Sequence, residues 1–175
     1  MKKTLQLMLL VLAVIMFSCT KNTYEKDIVG TWEAFEEEPG GEKFYHTLTF
    51  NEDGSFEQMV LTESMERESG ILMDITLSIR MPGTWKIKGN TMTIKFDGTM
   101  EIIDYTMDYP ELGDEEKAQA LLFFAENEVA LKEEMIAAMI NDIPKGDQLY
   151  SDLKVTPETL SYNTLDGIES FTRKK

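Results

Sequence analysis

The stretch Ile71–Met81, ILMDITLSIRM, alternates apolar side chains with mostly polar ones over 11 residues. Its apolar face would carry Ile71, Met73, Ile75, Leu77, Ile79 and Met81. Because successive side chains of a strand point to opposite faces, this period of two predicts a half-buried β-strand. Pro82-Gly83 then predicts the end of that strand, and TWKIK at 84–88 predicts the next one.

Three other stretches share one pattern, in which alternating residues lead into Asp-Gly. They are TLTFNEDGSFE, TMTIKFDGTME and TLSYNTLDGIE, which begin at Thr47, Thr91 and Thr159. Asp-Gly between alternating segments favours a tight hairpin turn, because both central residues of that turn need a positive φ. We therefore interpret the three stretches as hairpins that turn at Asp53-Gly54, Asp97-Gly98 and Asp166-Gly167.

Strand patterns dominate the chain from Ile28 onward. Ten strands are predicted, near residues 28–35, 44–50, 55–62, 71–81, 84–88, 91–96, 99–108, 148–154, 158–163 and 168–173. Short strands joined by tight turns favour a meander. The predicted fold is mainly β: an antiparallel up-and-down meander barrel of about 8–10 strands with one inserted amphipathic helix.

The predicted helix covers about residues 114–142, inside an insertion at 113–146. Apolar residues recur there at helical spacing, and Pro144 and Gly146 end the pattern. The stripe consists of Ala118, Leu121, Leu122, Ala125, Val129, Ile136, Met139 and Ile140. If the barrel holds a cavity, this helix would be its lid or plug.

The amino terminus, MKKTLQLMLLVLAVIMFSCT, has the features of an export signal. Two lysines precede a run of 13 residues from Leu5 to Phe17 that is apolar except for Gln6. This run is shorter than the roughly 20 residues of a membrane-spanning helix. The segment resembles a bacterial lipoprotein signal, which implies removal of residues 1–18 and acylation of the Cys19 thiol. The alternative is an ordinary secretory signal with a chance cysteine.

Cys19 is the only cysteine, so disulfide bonds within the chain are excluded. The predicted organisation is a signal at 1–18, a lipidated cysteine and polar spacer at 19–27, and one domain at 28–175. The lipid would attach an exported protein to a membrane. Thr20-Lys21 lacks the aspartate next to the cysteine that retains enteric lipoproteins at the inner membrane, so the resemblance favours the outer membrane.

The chain is strongly acidic. Removal of residues 1–18 removes two lysines and no acidic residue, which leaves 15 basic and 32 acidic residues and a net charge of −17. Such a surface repels phosphate backbones, so nucleic acid is not an expected partner.

Residues for chemistry are scarce. His46 is the only histidine, so a His/Cys zinc site within the chain is excluded, and no Gly-x-Ser-x-Gly or phosphate-binding loop is present. Asp104 and Asp108 share a predicted strand face, but chance adjacency is favoured over paired catalytic carboxylates in a chain with 32 acidic residues. We therefore predict no catalytic residue, no metal site and no cofactor, and interpret the protein as a non-enzyme.

Four segments in order, DIVGTWEA from Asp27, TLTFNEDGSF, GTWKIKGNTMTI from Gly83 and ESFTRKK from Glu169, carry a family resemblance. They resemble the lipocalin-like domains of the calycin group, particularly small lipoproteins of Bacteroidetes. The resemblance covers most of 27–110 and 148–173. It implies that Trp32 lies across the closed end of the barrel, that Arg173 packs on its ring, and that Gly30 allows a close backbone approach.

The predicted interior is rich in methionine, which fills cores and also suits adaptable binding surfaces. The predicted cavity-lining residues are Met73, Ile75, Leu77, Trp85, Met92 and Ile94, with a filled core as the alternative, favoured for Trp85 and the methionines. Two functions follow: a barrel that binds a small apolar ligand, or a filled barrel that docks a protein partner through its helix or acidic surface. A hydrolase has no supporting constellation of residues.

Overall fold

The computed structural model describes residues 23–175, so the predicted signal and Cys19 lie outside the described residues. The elements are α1 Thr23–Asp27, β1 Gly30–Glu37, β2 Lys43–Phe50, β3 Ser55–Glu68, β4 Ile71–Lys88, β5 Thr91–Phe96, β6 Glu101–Asp108, α2 Asp114–Met139, β7 Asp147–Val155, β8 Thr159–Asn163 and β9 Ile168–Arg173. Neither helix in this part of the chain is long and apolar enough to cross a membrane.

Eight of the strands close an antiparallel barrel in the order β1-β2-β3-β4-β5-β7-β8-β9, with β9 returning to β1. The seam between β1 and β9 contains only the pairs Trp32↔Arg173 and Glu33↔Thr172. The predicted mainly-β antiparallel barrel with one long helix is confirmed. Asp53-Gly54 and Asp166-Gly167 turn hairpins as predicted, between β2 and β3 and between β8 and β9.

Strand β4 runs without interruption through Pro82-Gly83, so the predicted strand end there is wrong. The Pro82 carbonyl accepts a hydrogen bond from the Asp97 N–H at 3.1 Å. Because the nitrogen and carbonyl of one strand residue point to the same edge, the proline nitrogen faces residues 97–100, where the neighbouring strand is interrupted. Proline is tolerated in a strand where no ladder hydrogen bond is lost.

The predicted hairpin at Asp97-Gly98 is also wrong. β5 pairs with Gly83–Lys88 and β6 pairs with Asp74–Arg80, so both strands run in the same direction along one edge of β4. The segment between them is a short loop in which the Asp97 carboxylate accepts the Thr99 N–H at 2.8 Å. Aspartate makes such local bonds in loops as readily as in hairpins, and β6 becomes a ninth strand beside the barrel.

Helix α2 packs on β6 instead of filling the barrel. The Phe124 ring meets the Tyr105 ring edge-on with centroids 5.1 Å apart, and Lys117 pairs with Asp108 at 2.6 Å. No residue of α2 is buried, so the helix does not plug the barrel, and the alternative of a lid stays a prediction. The last residue of α2, Met139, packs against the core, and Ile143 beyond the helix is buried in it, at 4% exposed.

Residues 23–27 were predicted as spacer but form α1, one turn of helix at the closed end of the barrel. Tyr24 packs against the core, and its carbonyl accepts the Ile28 N–H at 2.9 Å. Ile28 is fully buried. The folded domain therefore begins before residue 28.

Candidate ligand cavity

The closed end of the barrel is built on Trp32, which is fully buried. Its indole N–H donates to the Ile28 carbonyl at 2.7 Å, and the guanidinium carbon of Arg173 lies 4.1 Å from the ring centroid. Arg173 also donates to the carbonyls of Val29 (2.9 Å), Pro157 (2.9 Å) and Asp27. A cation over an indole face adds attraction to these bonds, so this end of the barrel is sealed.

Gly30 makes the approach of Arg173 feasible. Its φ is +131°, and a Cβ at this position would lie 2.7 Å from the Arg173 Nη1. A larger side chain would therefore displace the guanidinium from the carbonyl of Val29.

Above this floor lies a cavity of about 850 Å³ that is open to solvent at its mouth, within the size range of small-ligand sites. Strand β1 shows why space remains. Its inward positions are Trp32 at the floor, Ala34 in the middle and Glu36 at the mouth. The small Ala34 side chain leaves the middle level open.

The cavity wall is mainly apolar and aromatic. It draws on strands all around the barrel and on the loop that follows α2. Its apolar members include Ala34, Leu48, Phe56, Ile79, Met81, Ile94, Phe96, Met100, Met139, Ile143 and Phe171, joined by Tyr150 and Tyr162. The wall therefore suits a ligand with an apolar body.

Of the six residues predicted to line a cavity, Ile94 belongs to the wall. Met92 is fully buried in the core below the cavity, and Trp85 donates its indole N–H to the Asn51 carbonyl at 3.0 Å beside the β2–β3 turn. Neither belongs to the wall.

Met73, Ile75 and Leu77 also lie outside the wall. They share the inward face of β4 but lie on the half that extends past the mouth and pairs with β6. The pair Leu77↔Tyr105 shows that this face turns toward α2. Strand periodicity gives the face of a residue but not its height relative to the barrel.

Ala34, Leu48, Tyr162 and Phe171 are wall residues that the sequence patterns did not reveal. A period-two pattern that starts at the predicted floor residue Trp32 would have found Ala34 and Glu36. For the others, the required information was the strand pairing, which the sequence does not state.

The mouth of the cavity is polar and acidic. Glu36, Asp142, Asp166 and Glu169 lie in its lining, and no lysine or arginine does. His46 is the one histidine there, and its ring stacks on Phe44 with centroids 6.4 Å apart.

Three aromatic rings form a cluster in the wall beneath Glu169. The centroids of Tyr150 and Tyr162 are 4.8 Å apart, and those of Tyr162 and Phe171 are 5.8 Å apart. The Tyr162 hydroxyl donates to the Glu169 carboxylate at 3.0 Å. Burial, and then the negative charge of Glu169, raise the pKa of Tyr162 far above its usual range and also raise the pKa of Tyr150.

The carboxylates considered for catalysis lie outside the cavity wall. Asp104 is exposed on β6, and Asp108 pairs with Lys117, whose hydrogen bond holds the pKa of Asp108 below its usual range. Within residues 23–175 no group of three or more histidine, cysteine, aspartate or glutamate side chains is arranged to hold a metal ion.

The comparison with known families agrees with this architecture. Residues 28–112 match the family model of the lipocalin-like domain, a generally non-enzymatic binding fold. No curated protein matches the chain. The matched segment spans β1 to β6 and includes Trp32, Ala34 and the inward side chains of β2 to β5, so strands β1 to β6 resemble that domain.

Proposed function

We propose that the protein binds a small apolar molecule in the barrel. The observation that carries the proposal is the cavity of about 850 Å³ with its apolar and aromatic wall. The match to the lipocalin-like domain supports it. A sealed floor and an open mouth would leave one route for the ligand.

Ala34→Trp tests this proposal directly, because the indole would occupy the middle of the cavity. Ala138→Trp on the exposed face of α2 is the matched control. Native mass spectrometry and solvent extraction of the purified wild type and of Ala138→Trp should recover the same bound small molecule, which Ala34→Trp should lose. Equal recovery from all three proteins, or no bound molecule in a wild type that also fails to bind added apolar probes, would reject the proposal.

We also propose that the protein is exported and anchored to the outer membrane through an acylated Cys19, as a lipoprotein of Bacteroidetes type. The basic and apolar start of the chain and its single cysteine support this. Mass spectrometry of the amino-terminal peptide from membrane fractions should show a diacylglyceryl group on Cys19. The variant Cys19→Ala should move the protein to the soluble fraction; an unchanged membrane fraction would contradict the anchor.

A second candidate function is the docking of a protein partner through α2. The supporting observation is the exposure of Leu122, Phe123 and Val129, each at least 60% accessible to solvent. Leu122 and Val129 are seven residues apart and share one face of the helix. Crosslinked partners that persist in Leu122→Glu/Val129→Glu as in the wild type would count against this function.

A further inference from the structure

The charged groups of the cavity are all of one sign, apart from the histidine. Its wall and mouth contain four carboxylates, those of Glu36, Asp142, Asp166 and Glu169, and neither lysine nor arginine. The one basic side chain of the adjoining loop, Lys145, lies outside the wall. A ligand with a charged group at the mouth would therefore meet a negative potential.

These carboxylates are not neutralised by the protein. Among residues 23–175, no lysine or arginine nitrogen lies within 4.0 Å of any of the four, although eight ion pairs form elsewhere in that range. Glu63 and Glu57, for comparison, pair with Lys43 and Arg80 on the barrel strands. The charge at the mouth is therefore free to act on a ligand.

Glu169 is the mouth carboxylate that contacts the aromatic part of the wall. It is paired across the β8–β9 hairpin with Tyr162, so the two side chains lie on the same, inward face. Its carboxylate accepts the Tyr162 hydroxyl, which fixes the charge next to the rings of Tyr162 and Tyr150. Tyrosine faces attract cations through the ring quadrupole, so the rings and the carboxylate favour the same kind of group.

We propose that the ligand is a cationic amphiphile, with its apolar body in the barrel and an ammonium-type group between Glu169 and the other mouth carboxylates. This inference rests on the proposed apolar-ligand function and deepens it. An alkyl carboxylate with the same apolar body would bind less tightly, because its negative charge would lie among four like charges at the mouth. An uncharged alcohol would gain from the apolar wall alone.

Three probes with the same twelve-carbon chain separate these contributions: dodecylamine, dodecanol and dodecanoate, titrated into the protein at pH 7 below their aggregation concentrations. Dodecylamine should bind tightest, at least about tenfold tighter than dodecanoate, since even about 1.4 kcal/mol of charge discrimination gives that ratio. If no probe binds, the apolar-ligand proposal itself fails and this inference with it. If the three bind equally or dodecanoate binds tightest, the charge inference fails while the apolar-ligand proposal stands.

Glu169→Gln identifies the side chain responsible, because the glutamine oxygen still accepts the Tyr162 hydroxyl while the charge is lost. Glu158→Gln is the matched control, because the Glu158 side chain is exposed near the closed end of the barrel. The backbone N–H of Arg173 donates a hydrogen bond to the Glu158 carbonyl there. Glu169→Gln should weaken dodecylamine severalfold, strengthen dodecanoate and leave dodecanol unchanged. Equal binding profiles of the two variants would overturn the role of Glu169.

Discussion

At Gly83, strand β4 leaves no room for a Cβ beside β5. A Cβ there would lie 2.5 Å from the Lys95 carbonyl oxygen and 3.1 Å from the Phe96 Cα, both of them backbone atoms of β5. Pro82-Gly83 predicted the end of a strand, but β4 continues through it, and Gly83 allows β4 to pair closely with β5. The need for glycine at this position comes from the adjacent strand β5, so a local sequence pattern cannot distinguish it from a strand end.

Gly83→Ala should therefore destabilise the barrel by about 1–3 kcal/mol, the usual cost of forcing an extra carbon into a packed site. Gly40→Ala is the control, because no heavy atom lies within 4 Å of its added Cβ and its φ is not positive. Urea unfolding should show a lower midpoint for Gly83→Ala and an unchanged or slightly higher one for Gly40→Ala. Equal midpoints would show that β5 moves away without cost.

Tyr162 makes the stability of the protein sensitive to high pH. Its folded-state pKa is raised by burial first and by the Glu169 charge second, whereas in the unfolded chain the phenol releases its proton near pH 10. Above pH 10 the Tyr162 phenol ionises in the unfolded state but not in the folded state, and this lowers the free energy of the unfolded state alone. The free energy of unfolding should then fall by up to about 1.4 kcal/mol per pH unit from this tyrosine.

Tyr162→Phe removes that contribution, so urea unfolding between pH 9 and 11 should show a shallower decline than in the wild type. Between pH 7 and 9 the two proteins should show parallel dependence on pH, because the phenol is protonated in both the folded and unfolded states. The same decline in both proteins above pH 10 would contradict the burial of a protonated Tyr162.

The long strand β4 is the element that joins the barrel to β6. It pairs with β3 along one edge and with β5 and then β6 along the other. Alternation and turn residues in the sequence located nearly every strand. They could not show that β5 and β6 share an edge of β4, because Asp-Gly occurs in loops as well as in hairpins.

Helix α2 should be the least stable element, because no residue of it is buried and β6 is its main support. Phe124→Ala removes the ring contact with Tyr105, and exchange of the α2 amide hydrogens should accelerate by about tenfold or more. Amides in β2 and β3 should keep their protection, since the barrel does not depend on the helix.

Phe123→Ala provides the control for α2, because this neighbouring ring is 66% exposed. Its effect on the exchange of α2 amides should be small. If Phe123→Ala and Phe124→Ala accelerate exchange equally, the contact of Phe124 with Tyr105 does not account for the stability of α2.

For the whole molecule, the predicted barrel was correct because alternation and turn chemistry are local and mark each strand separately. The cavity was harder to predict, since its wall combines single positions from β1, β2, β8 and other strands. Ala34 and Tyr162 adjoin the same space only because of strand order and stagger. The sequence does not encode those two quantities locally, and the predicted lining residues on β4 lie too high for the same reason.

The closed end should decide where the chain can be shortened. Residues 23–175 should fold with wild-type stability, whereas 29–175 lacks Ile28, which is fully buried, and the carbonyl that accepts the Trp32 N–H. The shorter chain should lose at least about 3 kcal/mol, from a lost apolar side chain and an unpaired buried donor. Thermal unfolding by circular dichroism measures this, and equal melting temperatures would contradict the importance of the segment.

The position of helix α1 also determines which end of the barrel would face the membrane if Cys19 is acylated. Thr23 begins α1 at the closed end and follows the proposed lipid attachment site by four residues, a distance of at most about 14 Å even when fully extended. The Trp32 end would then rest near the bilayer, and the cavity would open away from it. Such a protein would exchange its cargo with the surrounding aqueous space or with a soluble donor, not with the leaflet that holds it.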